Sequence, residues 1–159
     1  MKIARLAALP LLWVGASVLP ARAAEADTPA DLLRALYAAY PVASGRTPPL
    51  QDRPKAWLGE PLLGLVLRDR AGARASGEPG ALDFDPICAC QDDTGLRGVA
   101  IAARDEDAVR AKAVVGFRIG SQAMSVRYSL ARTEAGWRIV DVGTGDVPSL
   151  VKHLRRFSQ

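Results

Sequence analysis

The stretch VRAKAVVGFRIGSQAMSVRYSL, residues 109–130, decides the fold because its hydrophobic residues alternate with polar ones. A period of two places successive side chains on opposite faces of a β-strand. Residues 120–122 interrupt the alternation with a turn sequence, so the stretch predicts two antiparallel strands joined by a hairpin. The face expected to be buried carries Val109, Ala111, Ala113, Val115, Phe117 and Ile119 in the first strand and Met124, Val126, Tyr128 and Leu130 in the second.

Two further strands are predicted on either side of this hairpin. Residues 98–104 precede it and residues 137–142 follow it, and the connections at 105–107 and 134–136 are short. Short connections join antiparallel neighbours. The four strands therefore predict an antiparallel meander.

Helical patterns lie before and after the strands. Thr28 and the residues after it have the signals of a helix start, and a second helical pattern over 54–70 is interrupted by Pro61, which predicts a kink or two short helices. Residues 41–54 and 71–80 are rich in turn formers and predict loops. A last helix is expected from Asp146 onward. We predict an α+β fold, with N-terminal helices packed on a curved four-stranded antiparallel meander, a C-terminal helix, and a concave ligand cavity at the open end of the sheet.

The first 23 residues have the three parts of a secretion signal. Lys2 and Arg5 form a positive start, an uncharged apolar run covers 6–19, and Ala21-Arg22-Ala23 has the small-x-small pattern of a cleavage site. The apolar run is shorter than the roughly 20 residues of a membrane-spanning helix. We predict cleavage after Ala23 and a single periplasmic or secreted domain over 24–159, without a membrane span.

Charge argues against a nucleic-acid partner. Lys2, Arg5 and Arg22 belong to the predicted signal, and the remaining 18 basic residues nearly balance 17 acidic ones. Nucleic-acid affinity needs a concentrated basic surface. The one basic run along the sequence, at 152–156, lies at the end of the last predicted helix, where cations favour the helix dipole. We predict no nucleic-acid partner.

The segment LDFDPICACQDD, residues 82–93, contains four aspartates and both cysteines of the chain. Its carboxylates are suited to a hard cation such as calcium, but the spacing lacks the glycine and glutamate of an EF-hand loop. The simpler interpretation is that these aspartates cap turns. We predict no metal site and no cofactor.

Cys88 and Cys90 are separated by one residue, which is not the spacing of a thioredoxin-like or zinc-binding motif. Two interpretations stay open: a disulfide between the two cysteines, and a pair of buried thiols packed on the core. A disulfide between two molecules is a further alternative.

Catalysis by this segment needs Asp83 and Asp85 in unequal environments, so that one is desolvated and the other ionised. The sequence has a single histidine, His153, in the basic run of the last helix. A Ser-His-Asp or Cys-His arrangement is therefore not expected.

Three groups of residues suggest a family. They are Tyr37 and Tyr40, the run Leu82-Asp83-x-Asp85-Pro86 with Gln91-Asp92 after it, and Gly136-Trp137-Arg138-Ile139-x-Asp141. In these the chain resembles the bacterial envelope family called domain of unknown function 3828. The resemblance implies a cone-like α+β fold similar to the nuclear-transport-factor-like, cystatin-like superfamily. It also implies a shared polar cluster, for a ligand or for structure, made of Asp83, Asp85, Gln91, Asp92 and Asp141.

These observations favour a non-enzymatic periplasmic binding or interaction domain for a protein or small ligand of the cell envelope. The alternative is an immunity or inhibitor protein against a secreted cell-wall-degrading toxin. A small enzyme that uses the acidic cluster is a third hypothesis. The fold alone does not decide among them.

Overall fold

A computed structural model describes residues 27–43 and 46–157. Helices and strands follow one another in the order α1 (Pro29–Tyr37), α2 (Pro49–Asp52), α3 (Pro54–Trp57), α4 (Leu62–Ser76), β1 (Leu96–Asp105), β2 (Arg110–Ile119), β3 (Gln122–Thr133), β4 (Gly136–Gly143) and α5 (Leu150–Phe157). The predicted signal peptide and its cleavage site after Ala23 lie outside the described residues.

The four strands form one antiparallel sheet in the order β1-β2-β3-β4, which confirms the predicted meander and the α+β class. The hairpin between β2 and β3 has Ile119 opposite Gln122, so Gly120 and Ser121 make a two-residue turn. Gly120 has φ +58, which glycine adopts at little cost. Register shifts interrupt the ladder between Arg97 and Ala100 in β1 and between Ser129 and Leu130 in β3.

One face of the sheet is covered by the helices and forms the core. Ala111, Ala113, Val115 and Phe117 of β2 are buried there, as the alternation predicts, whereas Val109 precedes the strand and is 53% exposed. The helices contribute mainly leucines to this core, and buried residues of β3 and β4 complete it: Leu32, Leu33, Leu36, Leu58, Leu62, Leu65, Val126, Leu130, Trp137, Ile139, Leu150 and Leu154. Burial of this apolar face holds the helices on the sheet.

The helix boundaries differ from expectation in three places. A short helix, α2, lies in the predicted loop 41–54. The interruption at Pro61 gives two helices, but α4 continues through 71–76, because alanine and arginine favour helix and one internal glycine costs only about 1 kcal/mol. It ends at Gly77, which has φ +75. The last helix begins at Leu150 rather than near Asp146, because the intervening residues form a tight loop.

Within 27–43 and 46–157, no helix combines the length and the hydropathy needed to cross a bilayer.

Candidate functional site

Asp85 is a half-buried carboxylate of the acidic segment. One of its oxygens accepts a hydrogen bond from the Tyr40 hydroxyl, and the other accepts one from the Ile87 amide at 2.9 Å. Burial raises the pKa of the Asp85 carboxyl, whereas these two hydrogen bonds lower it. Burial and the neighbouring Asp85 charge also raise the pKa of Tyr40, so its hydroxyl stays protonated and donates.

Two more tyrosines extend this contact into the core. The Tyr37 hydroxyl donates to the Ile87 carbonyl at 2.7 Å and is 2.7 Å from the Tyr128 hydroxyl of β3. All three tyrosines are at most 8% exposed. The tyrosine–Asp85 network therefore ties α1 and β3 to the loop at 85–90, and buried polar groups satisfied in this way fix a single arrangement.

The loop at 85–90 is closed twice. Asp85 and Cys90 exchange both backbone hydrogen bonds, at 2.9 and 3.2 Å, and a disulfide joins Cys88 to Cys90. Of the two interpretations of the cysteines, the structure has the disulfide. Cys88 is buried, and Cys90 is half-buried at the surface of a cleft.

The other predicted site residues of the segment lie elsewhere. Asp83 and Gln91 are exposed. Asp92 is also exposed and accepts a hydrogen bond from the Thr94 amide at 2.9 Å, which is an Asx turn. That contact lowers the pKa of the Asp92 carboxyl.

Asp141, the fifth residue of the predicted polar cluster, belongs to a different contact. Its carboxylate accepts hydrogen bonds from the Ser149 hydroxyl at 2.6 Å and from the Val151 amide at 3.0 Å. These are groups at the start of α5, where a carboxylate satisfies free amides and favours the helix dipole. Asp141 therefore caps a helix.

The five predicted residues thus do not converge on one point. In the described part of the chain, no three His, Cys, Asp or Glu side chains are placed to hold a metal ion together. The capping interpretation accounts for Asp92 and Asp141, and Asp85 is held by Tyr40 and the loop backbone.

Two aspartates outside the predicted cluster hold the segment in place. Asp69 of α4 accepts hydrogen bonds from the Ala81 and Leu82 amides at 2.8 and 3.1 Å. Asp93 accepts one from the Val42 amide. The sequence shows Asp93 within the acidic run, but nothing in the spacing connects Asp69 to a loop twelve residues away.

Asp83, Cys90 and Gln91 do share a surface, which we call the β3-edge cleft. It has a volume of about 950 Å³ and lies between the loop at 80–91, the first half of β3, and the segment from 144 into α5. Its apolar side chains are Phe84, Met124, Val147 and Phe157, and its basic side chains are Arg127 and His153.

The cleft borders a length of β3 that lacks a neighbour on one side. β4 begins to pair with β3 at Arg127, opposite Gly143, so residues 122–126 pair with β2 alone. The two-residue turn makes Ile119 and Gln122 a hydrogen-bonded pair, and the pattern alternates from there. The amides and carbonyls of Ala123 and Ser125 therefore point away from β2, toward the cleft.

The far end of the cleft is shaped by a close backbone contact. A side chain on Gly143 would place its Cβ 2.6 Å from the Pro148 carbonyl oxygen, so only glycine lets the loop at 144–148 fold back over β4. Arg127 donates to the Thr144 carbonyl at 3.0 Å, and His153 lies 3.1 Å from the Ala81 carbonyl. Arg127 was not among the predicted site residues.

No family model matches the chain, and no curated protein or solved structure matches it either. The resemblance to domain of unknown function 3828 stays a prediction.

Proposed function

We propose that the protein is an exported, non-enzymatic binding domain that takes an extended segment of a partner protein into the β3-edge cleft. The free edge of β3 at 122–126 is the observation that supports this most. An extended peptide can add a strand to such an edge, with backbone hydrogen bonds giving affinity and alternate side chains giving specificity.

The length of the free edge of β3 suits a short peptide segment. Five residues of strand span about 17 Å at roughly 3.4 Å per residue. Ala123 and Ser125 are small and exposed, so they leave room for the incoming side chains on one face. On the other face Met124 is half-buried against the core, next to the apolar part of the cleft.

The wall of the cleft that faces β3 is held in place by contacts within the protein. The loop at 80–91 is held by Asp69, by the tyrosine–Asp85 network and by the disulfide. A pre-organised wall lowers the entropy cost of binding a flexible segment.

The side chains that could carry out acid–base chemistry are engaged in structural contacts. Asp85 is bonded to Tyr40 and the Ile87 amide, and His153 contacts the Ala81 carbonyl. This supports binding over catalysis. The inhibitor alternative also stays a prediction.

The test uses ten-residue peptides selected from a phage-displayed library on the immobilised protein. We expect the selected peptides to slow amide hydrogen exchange at Ala123 and Ser125, but not in the exposed strand β1. Ser125→Pro removes the amide that faces the cleft, and we expect it to weaken binding by about tenfold or more, since a strand hydrogen bond is lost and the ring blocks the approach.

Ser125→Ala is the matched control, because it keeps the amide and should bind like the unchanged protein. Thermal melting must show that both variants stay folded. The proposal is wrong if Ser125→Pro binds the selected peptides with full affinity, or if the exchange protection lies outside the cleft.

A further inference from the structure

The face of the sheet that points away from the helices is strongly basic. In β2 and β3 the residues between the buried ones point outward, and the strand register places Arg97 of β1 opposite Arg118, and Arg104 of β1 opposite Lys112. We call this the outer cationic face; its basic residues are Arg97, Arg104, Arg110, Lys112, Arg118, Arg127 and Arg138. The charge does not form a contiguous run in the sequence, because it is spread over four strands at alternate positions.

Few acids oppose this charge. Asp141 lies on the same face, but its carboxylate is bonded to the start of α5. At the rim Glu106 is 3.3 Å from Lys112, and Asp107 is 2.6 Å from Arg110; all four side chains are at least one-third exposed. Exposed pairs of this kind contribute little and exchange readily with a competing anion.

A groove of about 500 Å³ crosses the middle of this face. Its apolar side chains are Ala102, Val114 and Pro148, and Val114 is 45% exposed. Arg104, Lys112 and Arg127 border the groove, as does Asp141, whose carboxylate is bonded to the start of α5. In the described part of the chain, the Arg104 side chain makes no hydrogen bond or ion pair, so its guanidinium is available to a ligand.

We propose that this groove binds an anionic amphiphile, a molecule with one apolar chain and a carboxylate or phosphate head group. The chain lies over Val114 and Ala102, where it removes exposed apolar surface from water. The head group lies among Arg104, Lys112 and Arg127, where arginine offers paired donors to carboxylate or phosphate. The groove shares Arg127 with the β3-edge cleft but does not include the free edge of β3 at 122–126.

The groove fits this ligand better than it fits nucleic acid. Single strands are bound by cations together with exposed aromatic rings on which bases stack. The one aromatic residue bordering the groove, Tyr128, is 2% exposed and its hydroxyl contacts Tyr37 in the core. An apolar floor with cations beside it matches a ligand with one charged end.

The experiment measures binding of dodecyl phosphate to the purified protein by calorimetry, below the critical micelle concentration. Dodecyl maltoside has the same chain without the charge, and inorganic phosphate has the charge without the chain. We expect dodecyl phosphate to bind at least about tenfold more tightly than either, since each comparison removes one of the two contacts.

Arg104→Gln with Lys112→Gln should weaken dodecyl phosphate binding by about tenfold or more and leave dodecyl maltoside unchanged. Arg53→Gln is the matched control, because Arg53 is an exposed arginine between α2 and α3. Equal affinity for dodecyl phosphate and dodecyl maltoside would overturn the proposal, as would full affinity in the double variant. Tighter, steeply salt-dependent binding of a short duplex DNA would assign the face to nucleic acid instead.

Discussion

Asp83 and Asp85 are two residues apart in the same acidic segment, yet they have different surroundings. Asp85 is enclosed and receives hydrogen bonds from Tyr40 and from the Ile87 amide, whereas Asp83 is exposed at the cleft. Asp85 pairs with Cys90 through the backbone and closes the loop at 85–90, whereas Asp83 lies before this loop. Residue type and spacing alone therefore do not show which carboxylate holds the fold together.

The largest expected effect comes from Asp85→Ala. It leaves the Tyr40 hydroxyl and the Ile87 amide without their acceptor, and each unsatisfied buried donor costs roughly 1–3 kcal/mol. We expect a loss of about 2–4 kcal/mol in the free energy of unfolding, measured by urea titration. A loss no larger than that of Asp83→Ala would show that the two aspartates are equivalent.

Tyr40→Phe removes one donor and should cost about 1–3 kcal/mol at neutral pH. The loss should also depend on pH. Burial raises the pKa of Asp85 in the folded state, so the contribution of this group to stability is greatest below the usual carboxyl pKa and declines as the pH rises through the folded value. Without the Tyr40 hydrogen bond this pKa rises further, so the destabilisation should grow from acidic to neutral pH.

Urea titrations of the unchanged protein and of Tyr40→Phe check this expectation. They are made between pH 3 and pH 7, about one per pH unit, because the usual carboxyl pKa of about 4 lies in this range. Phenylalanine keeps the ring packing of Tyr40, so the comparison isolates the hydroxyl. A difference that is constant over the range would contradict a role for Asp85 ionisation.

Replacing both cysteines by alanine tests the closure of the loop next to Asp85. A cross-link around a three-residue loop restricts the unfolded chain only slightly, so we expect a loss of about 1–2 kcal/mol. A chemical reductant should destabilise the unchanged protein by a similar amount and leave the double variant unaffected. If reductant leaves the free energy of unfolding of the unchanged protein as it was, the Cys88–Cys90 disulfide does not stabilise the fold.

The smallest effect is expected for Asp83→Asn. Its carboxylate makes no hydrogen bond or ion pair with another described residue, so the free energy of unfolding should change by less than about 0.5 kcal/mol. Peptide binding in the β3-edge cleft is the more sensitive measurement, since Asp83 lines it. A large stability loss would mean that the exposed aspartate also supports the fold.

The sequence was sufficient for the sheet because alternation over 109–130 is strong and the turns between strands are short. It also showed the Thr28 cap, which accepts a hydrogen bond from the Asp31 amide. The candidate site was harder to predict from the sequence, because Tyr37 and Tyr128 are 91 residues apart and come into contact only when the helices pack on the sheet. Arg127 and Asp69 were missed for the same reason. The basic outer face is likewise not a contiguous run in the sequence, because its residues come from four strands.

The four-residue difference in length between β3 and β4 has a consequence for self-association. Free strand edges invite pairing between copies of a protein. The edge at 122–126 lines a cleft together with the loop at 80–91 and the segment at 144–147. At the other side of the sheet, β1 is interrupted near Gly98 and carries Arg97 and Arg104, features that discourage pairing of edge strands between molecules. In the proposed function, the cleft therefore accepts a single peptide strand and excludes the sheet of a second copy of the protein.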